Sequence, residues 1–200
     1  MRPWLFLLVL GCGGATPPQD PAPATIAPDP TADAAALARA EAAARDLGKT
    51  LKTRAAAAMG AGGPTEAAEV CGTEAKTLTA EVAKRDGVAV GRSSRRLRNP
   101  TNAGAARVSG WLESEGERAA EGVEPYREAV QTPKGRSARV ILPITVEAPC
   151  LVCHGPADPI SADVRGLLAE RYPRDRATGY ATGYATGDLR GALWAEAASC

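Results

Sequence analysis

The sequence predicts an α+β fold, a small antiparallel sheet flanked by helices with a long helix at its N-terminal end. Residues 31–59 are helix-forming in composition and set Leu37, Ala44, Leu47, Leu51, Ala55 and Ala58 along one stripe. Short runs at 88–92, 126–131, 137–146 and 190–197 read as strands. Glycine and proline clusters separate these segments, and the helices fall outside the strand runs rather than alternating with them.

In chain order, residues 1–11 carry one charge, Arg2, then an apolar run and Gly11 before Cys12. This is the pattern of a bacterial lipoprotein signal, with Cys12 lipidated and becoming the new N-terminus. The run is too short for a conventional spanning helix, and several acyl chains on one residue would anchor the chain stably. Residues 12–30 form a tether whose prolines, from Pro17 to Pro30, favour an extended spacer reaching up to roughly 50 Å. Residues 31–200 are then one domain's worth of chain.

The first helix, 31–59, is capped by Thr31 or Asp33 and ended by Gly60, Gly62, Gly63 and Pro64. In a second, about 65–84, Cys71, Ala75, Leu78 and Val82 follow helical spacing, which places Cys71 on the buried stripe. After the strand at 88–92, residues 98–102 make a turn. A third helix, 103–120, carries Val108, Trp111, Leu112 and Ala119 on one face. A hairpin turning at Thr132-Pro133-Lys134-Gly135 has a second strand that ends at Pro149 and delivers Cys150, so the motif that follows hangs from the sheet edge. Ser161 caps a short helix stopped before Pro173. The tetrads 177–180, 181–184 and 185–188, two of them Ala-Thr-Gly-Tyr, are too few for a solenoid and lengthen a loop before the last strand, 190–197.

Cys150-Leu151-Val152-Cys153-His154 carries the chemistry. Two thiols separated by two residues can add to the vinyl groups of one haem, and the adjacent imidazole then supplies an axial ligand. His154 is the only histidine, and a zinc site would need two further ligands at similar spacing. The cofactor expected is therefore one covalent haem c. Aromatics make up only 4% of the chain and much of the apolar content is alanine, so a macrocycle tied to Cys150 and Cys153 would add buried surface to a thin core.

With one histidine, bis-histidine ligation is excluded within the chain. The sixth position is left to Cys71, Cys200, Met59, a lysine, water, or nothing; Cys71 is alternatively a buried inert thiol. Cys200 is free or disulfide-bonded to Cys71. Glu74, one turn from Cys71, is a solvated helix residue before it is an acid/base candidate. The arginines at 92, 95, 96 and 98 are either a solvated basic loop or contacts for haem propionates, with Arg92, Arg95, Arg98 and Asn99 the candidate contacts. The net charge of +1 gives no reason to invoke nucleic acid.

Five motifs occur in order: Val70-Cys71; 90–94 leading to Leu97-Arg98-Asn99-Pro100-Thr101-Asn102; 150–155; 172–180; and Gly187-Asp188-Leu189-Arg190-Gly191-Ala192. Together, over about residues 35–197, they resemble a family of exported bacterial c-type haem domains with a PAS-like fold, long catalogued as a domain of unknown function. Its members occur alone or as extracytoplasmic inputs of signalling proteins. The resemblance implies a PAS-like antiparallel sheet flanked by helices, and axial ligation by histidine and cysteine, here His154 and Cys71. The duplicated tetrad departs from the pattern and leaves open whether Tyr180 or Tyr184 holds the family position, and Trp194 also departs.

The function expected is that of a membrane-anchored, exported monohaem cytochrome facing the periplasm, on the outer membrane if the host has one. Thiolate ligation stabilises ferric iron, and its weakening on reduction would open a site for carbon monoxide or nitric oxide and move the helix bearing Cys71. A sensor of redox state or of a diatomic ligand would need a separate signalling protein as partner; an electron carrier would need a redox partner. An enzyme ranks behind both, because no distal histidine or acid/base residue is evident beside the iron.

Overall fold

The computed structural model describes residues 27–175 and 183–199. The signal and Cys12, most of the tether, Tyr180 and Cys200 lie outside the described residues. In order, the chain forms α1 (Pro30–Glu69), a π-helical turn (Val70–Glu74), α2 (Ala75–Asp86), β1 (Ala89–Ser93) and a 3-10 turn (Pro100–Asn102). It continues through α3 (Ala106–Glu115), β2 (Tyr126–Thr132), β3 (Gly135–Thr145), a 3-10 turn (Ala148–Cys150), α4 (Leu151–His154), α5 (Ala162–Arg171) and β4 (Leu189–Ala198). The strands pair as one antiparallel sheet in the order β1-β4-β3-β2. The class is the α+β class expected. β3 is an interior strand, however, so Cys150 follows the end of a central strand and not the sheet edge.

The long helix starts earlier than expected. Asp29 is the cap, its carboxylate accepting from the backbone N–H of Thr31 at 2.9 Å and of Ala32 at 3.2 Å, with Pro30 in the first position. Asp33 instead pairs with Arg136 at 2.6 Å and accepts the Ser199 hydroxyl at 2.6 Å, which ties the helix start to the far ends of β3 and β4. The buried face is Ala36, Ala40, Ala43, Ala44 and Leu47, while Leu37, Leu51 and Ala55 are half-buried. Small side chains let the helix lie close on the sheet: a Cβ on Gly48 would come 2.6 Å from Leu193 Cδ1. Val82, Val90, Val140, Leu142 and Ala195 complete this core.

Gly60 and Gly62 do not end the helix. The break is at Gly63, with φ 72° and ψ −160°, a backbone that glycine adopts without steric cost, and Pro64 restarts the helix where a missing N–H is harmless. The π-helical turn follows, closed by the Ala75 N–H donating to the Val70 carbonyl. One residue more per turn shifts the phase, so Ala75 and Val82 remain buried while Cys71 turns out and is exposed. Cys71 is thus not on the buried stripe.

Across the sheet, Val108, Trp111 and Leu112 of α3 cover Ile141, Ala192 and Trp194. This helix stops at Gly116, φ 68°, so Ala119 lies beyond it and bridges to Asp188. The β3–β4 register slips at Ile144/Thr145: Ile144 faces Gly191 and Thr145 faces Leu189, leaving Arg190 as the extra residue of a bulge. A Cβ on Gly191 would lie 2.2 Å from the Ser93 carbonyl oxygen, so β1 and β4 meet there only because position 191 is glycine.

Leu47 is fully buried, and Leu47→Ala should lower stability by about 2–5 kcal/mol, read as a reduced urea midpoint at unchanged slope. Glu41 accepts from Arg127 at 2.8 Å and Arg45 at 2.6 Å, which holds its carboxyl down from 4.5 to about 2. A folded pKa below the unfolded one gives stability present above pH 4.5 and lost as pH falls toward 2. Thermal unfolding followed across that window should show the midpoint falling with pH, less steeply in Glu41→Gln.

Candidate functional site

The motif at 150–154 sits where three strand ends meet: β1 and β3 finish there and β4 begins. Pro149 in a 3-10 turn and then the single turn of α4 set Cys150, Cys153 and His154 on one short coil. Both thiols are free and half-buried. Burial pushes the Cys153 thiol up, opposed by Arg98 and reinforced by Cys71 and Cys150. The His154 Nδ1 is out of contact with solvent. Burial first, then the charges of Arg190, Arg98 and Arg92, hold that imidazole well below its usual range, so the ring is neutral.

Cys71 comes to this coil from the other side. Cys153 packs against Ala68, Ile160, Val164 and Leu168, where the end of α1 meets α5. Glu69 accepts from Arg171 at 2.8 Å, and the Tyr172 hydroxyl lies against Gly72, 3.4 Å from where a Cβ would stand. These contacts hold the π-helical turn beside the motif, near enough that Cys71 raises the pKa of both Cys153 and Tyr172. Glu74 takes no part: it is held by Arg54 through two bonds of 2.6 Å. Met59 packs with Ala58, Ala67 and Val70 at the helix break.

The four arginines of the 92–98 segment separate. Arg98 is buried; it donates to the Cys153 carbonyl at 2.7 Å and pairs with Asp175 at 3.4 Å. Arg95 pairs with Glu113 at 3.3 Å, and Arg96 with Glu117, its Nε 2.9 Å from the carboxylate. Asn99 caps the 3-10 turn, accepting from the Thr101 N–H at 3.0 Å. Arg92, half-buried at the end of β1, makes no ion pair among the described residues.

Two residues that the sequence motifs include without a role belong to the site. Tyr184 donates its N–H to the His154 carbonyl at 3.1 Å, and the Gly183 N–H reaches Gly155 at 3.3 Å, so the end of the second Ala-Thr-Gly-Tyr unit straps the motif. Arg190 donates to Ser94 Oγ at 2.6 Å and stacks 5.1 Å from the Tyr184 ring, whose other partner is Arg96 at 5.0 Å. Burial lowers the Arg190 pKa, Tyr184 opposes this, and Arg98 and Arg92 add to it. A cleft of about 240 Å³ opens beside Tyr184, lined by Arg96, Glu117, Arg118 and Asp188 and by none of the thiols. Among the described residues no three His, Cys, Asp or Glu side chains are grouped to hold a bare metal ion. No described helix is long and apolar enough to cross a membrane.

Fold and site together define an α+β protein that presents two thiols and a neutral imidazole on one helical turn at the end of a sheet. The chain belongs to the Tll0287-like family, whose model matches residues 25–196. This is the family that the five sequence motifs resemble. A crystal structure of the cyanobacterial haem protein Tll0287 is similar, at 25% identity and a TM-score of 0.48, over 63% of this chain and 70% of that one. No curated protein matches.

Arg98→Ala should remove the bond to the Cys153 carbonyl and strip the buried Asp175 carboxylate of that charge. A loss of about 1.5–3 kcal/mol is expected in chemical denaturation, with Arg98→Lys between the two.

Proposed function

We propose that this chain is a haem-binding protein of the periplasmic side of a bacterial membrane, carrying one covalent haem c. The observation that supports this best is the motif itself: two free thiols and a neutral imidazole on one turn, with a third thiol held beside them. Cys150 and Cys153 would hold the macrocycle through thioether bonds, and His154 and Cys71 would hold its iron. The donor set fits that group: a neutral imidazole offers a lone pair, and Cys71 is exposed and unbridged. When bound, haem supplies an iron that changes valence and, once a ligand is lost, takes a diatomic molecule.

The reading as a redox or diatomic-ligand sensor is favoured by where Cys71 sits. It lies on a π-helical turn between the break at Gly63 and the start of α2, a segment that can shift without disturbing the Ala36 to Leu47 face on the sheet. His154, by contrast, is strapped by Tyr184 and neighbours the Arg98 anchor at Cys153. One ligand is fixed and the other rides on a jointed helix. Lipidation at Cys12 would keep the protein on the membrane, with a redox partner or a separate signalling protein receiving the change. The second reading, an electron carrier, uses the same site with both ligands retained.

Production of the full chain in a periplasm with haem c maturation tests this. Covalent haem should survive denaturing gels and be lost in Cys150→Ala/Cys153→Ala. Absorption spectra of oxidised and reduced protein should show carbon monoxide binding only on reduction. A reduced form that stays six-coordinate and ignores carbon monoxide sinks the sensor and leaves the carrier; a wild-type chain without covalent haem sinks both. Cys71→Ala should convert a six-coordinate ferric spectrum into a high-spin or water-ligated one.

A further inference from the structure

Most of the described arginines face a carboxylate; of those that do not, Arg39 and Arg165 donate to backbone carbonyls, Arg174 is exposed, and Arg92 and Arg190 lie where the motif sits. Arg45, Arg54, Arg85, Arg127, Arg136 and Arg139, among others, each face a carboxylate. Arg92 and Arg190 have no carboxylate within ion-pair distance among the described residues; Arg92 stands opposite Leu193 in the β1–β4 register and Arg190 lies three residues before Leu193, at the strand ends where the motif sits. Arg98, the third guanidinium there, is neutralised by Asp175. Two positive charges are therefore left uncompensated in a partly desolvated space, an arrangement that costs stability unless anions occupy it.

Arg190 is also placed by construction. It is the extra residue of the β3–β4 bulge, where a strand re-aims one side chain. The carbonyl that the bulge takes out of the ladder is satisfied by the Ser94 hydroxyl at 2.9 Å, and the same oxygen accepts from the Arg190 guanidinium at 2.6 Å. Tyr184 supports the guanidinium from its face at 5.1 Å. The Ser94 and Tyr184 side chains together still leave donors of the five-donor fork uncommitted.

We infer that Arg92 and Arg190 form a dicarboxylate clamp, a site for the two carboxylates carried by one cofactor beside His154, with Arg190 its half-buried member, aimed by the bulge. The inference rests on the haem reading above, since haem carries two propionates, and it assigns to the Leu189-Arg190-Gly191 bulge a role in binding them. Arg95 and Asn99, committed to Glu113 and to the 3-10 turn, are outside the clamp. The clamp also sets the iron's potential: positive charges nearby disfavour the ferric state, so losing one favours it.

The test uses the full chain matured with covalent haem, titrated spectroelectrochemically at pH 7. Arg190→Gln and Arg92→Gln should each shift the ferric-to-ferrous ratio at a fixed potential about tenfold toward ferric, which is about 59 mV for one electron. Their ferric absorption spectra should stay as in the wild type, while the propionate bending bands in resonance Raman should move. Arg190→Lys should recover most of the shift, and Arg45→Gln, on the exposed face of α1, should leave the potential alone. Unchanged potential and unchanged propionate bands in a haem-loaded Arg190→Gln protein would overturn the clamp, as would an Arg190→Lys protein as low in potential as the glutamine variant. Should Arg190→Gln not accumulate, Arg92→Gln and Arg190→Lys decide by the same two readouts. A wild-type chain without haem fails the underlying reading instead, and is seen before any variant is made.

Discussion

The buried guanidinium of Arg98 is the point on which the site depends. It comes from the segment after β1, grips the backbone carbonyl of Cys153, and faces the carboxylate of Asp175 beyond α5. Three segments far apart in the chain are thereby fixed to one charged group. Each alone would be a surface loop after its element, and loops are the parts of a domain that most readily lose their geometry. Because the guanidinium and carboxylate are both shielded from water, neither can leave without exposing the other, so the arrangement is held as a unit. The rest of the site is hung on it: the strap through Tyr184 and the bulge at Arg190 approach the same turn from the opposite end of the chain.

The helical half of the protein obeys a different constraint. Alanine dominates the buried face of α1, and alanine contributes little area per residue. The fold offsets this by closeness, with Gly48 against Leu193 and Gly91 against the Trp194 ring at distances that no side chain could share. Substitution by anything larger at either glycine pushes a helix or a strand away from the sheet. Ion pairs such as Arg127 with Glu41 and Arg136 with Asp33 then stitch the helix to strands at its exposed margins.

Much of the architecture could be read from the residues, because local rules govern it. The hairpin turn at Thr132-Pro133-Lys134-Gly135, the cap at Ser161 and the strands of the sheet follow from turn chemistry and side-chain preference, and the structure has them. What escaped depends on a shift of phase or on pairing at a distance. Cys71 fits the spacing of an α-helix, and only the π-helical turn, which leaves no mark in composition, turns it outward. Gly60, Gly62, Gly63 and Pro64 look like a terminator, yet only Gly63 leaves the helical conformation. The interior place of β3 is fixed by β4, which arrives after the motif, and the bulge that singles out Arg190 exists only once both strands are paired. Of the site, the thiols and the imidazole were legible because their spacing is itself the chemistry. The arginines were not separable, since which of them meets a carboxylate is decided by tertiary neighbours.

The repeated tetrads before β4 govern how this protein can vary in length. The anchoring residue, Tyr184, ends one Ala-Thr-Gly-Tyr unit, and the unit before it is identical in sequence. Deleting or duplicating a whole unit therefore changes the number of residues between α5 and β4 while presenting the same Gly-Tyr pair to His154 and Gly155. Replication slippage, which adds and removes repeats in steps of their own length, acts here on a segment whose point of attachment is indifferent to those steps. The length of this segment becomes a quantity that can drift freely, with the strap on the motif inherited intact each time.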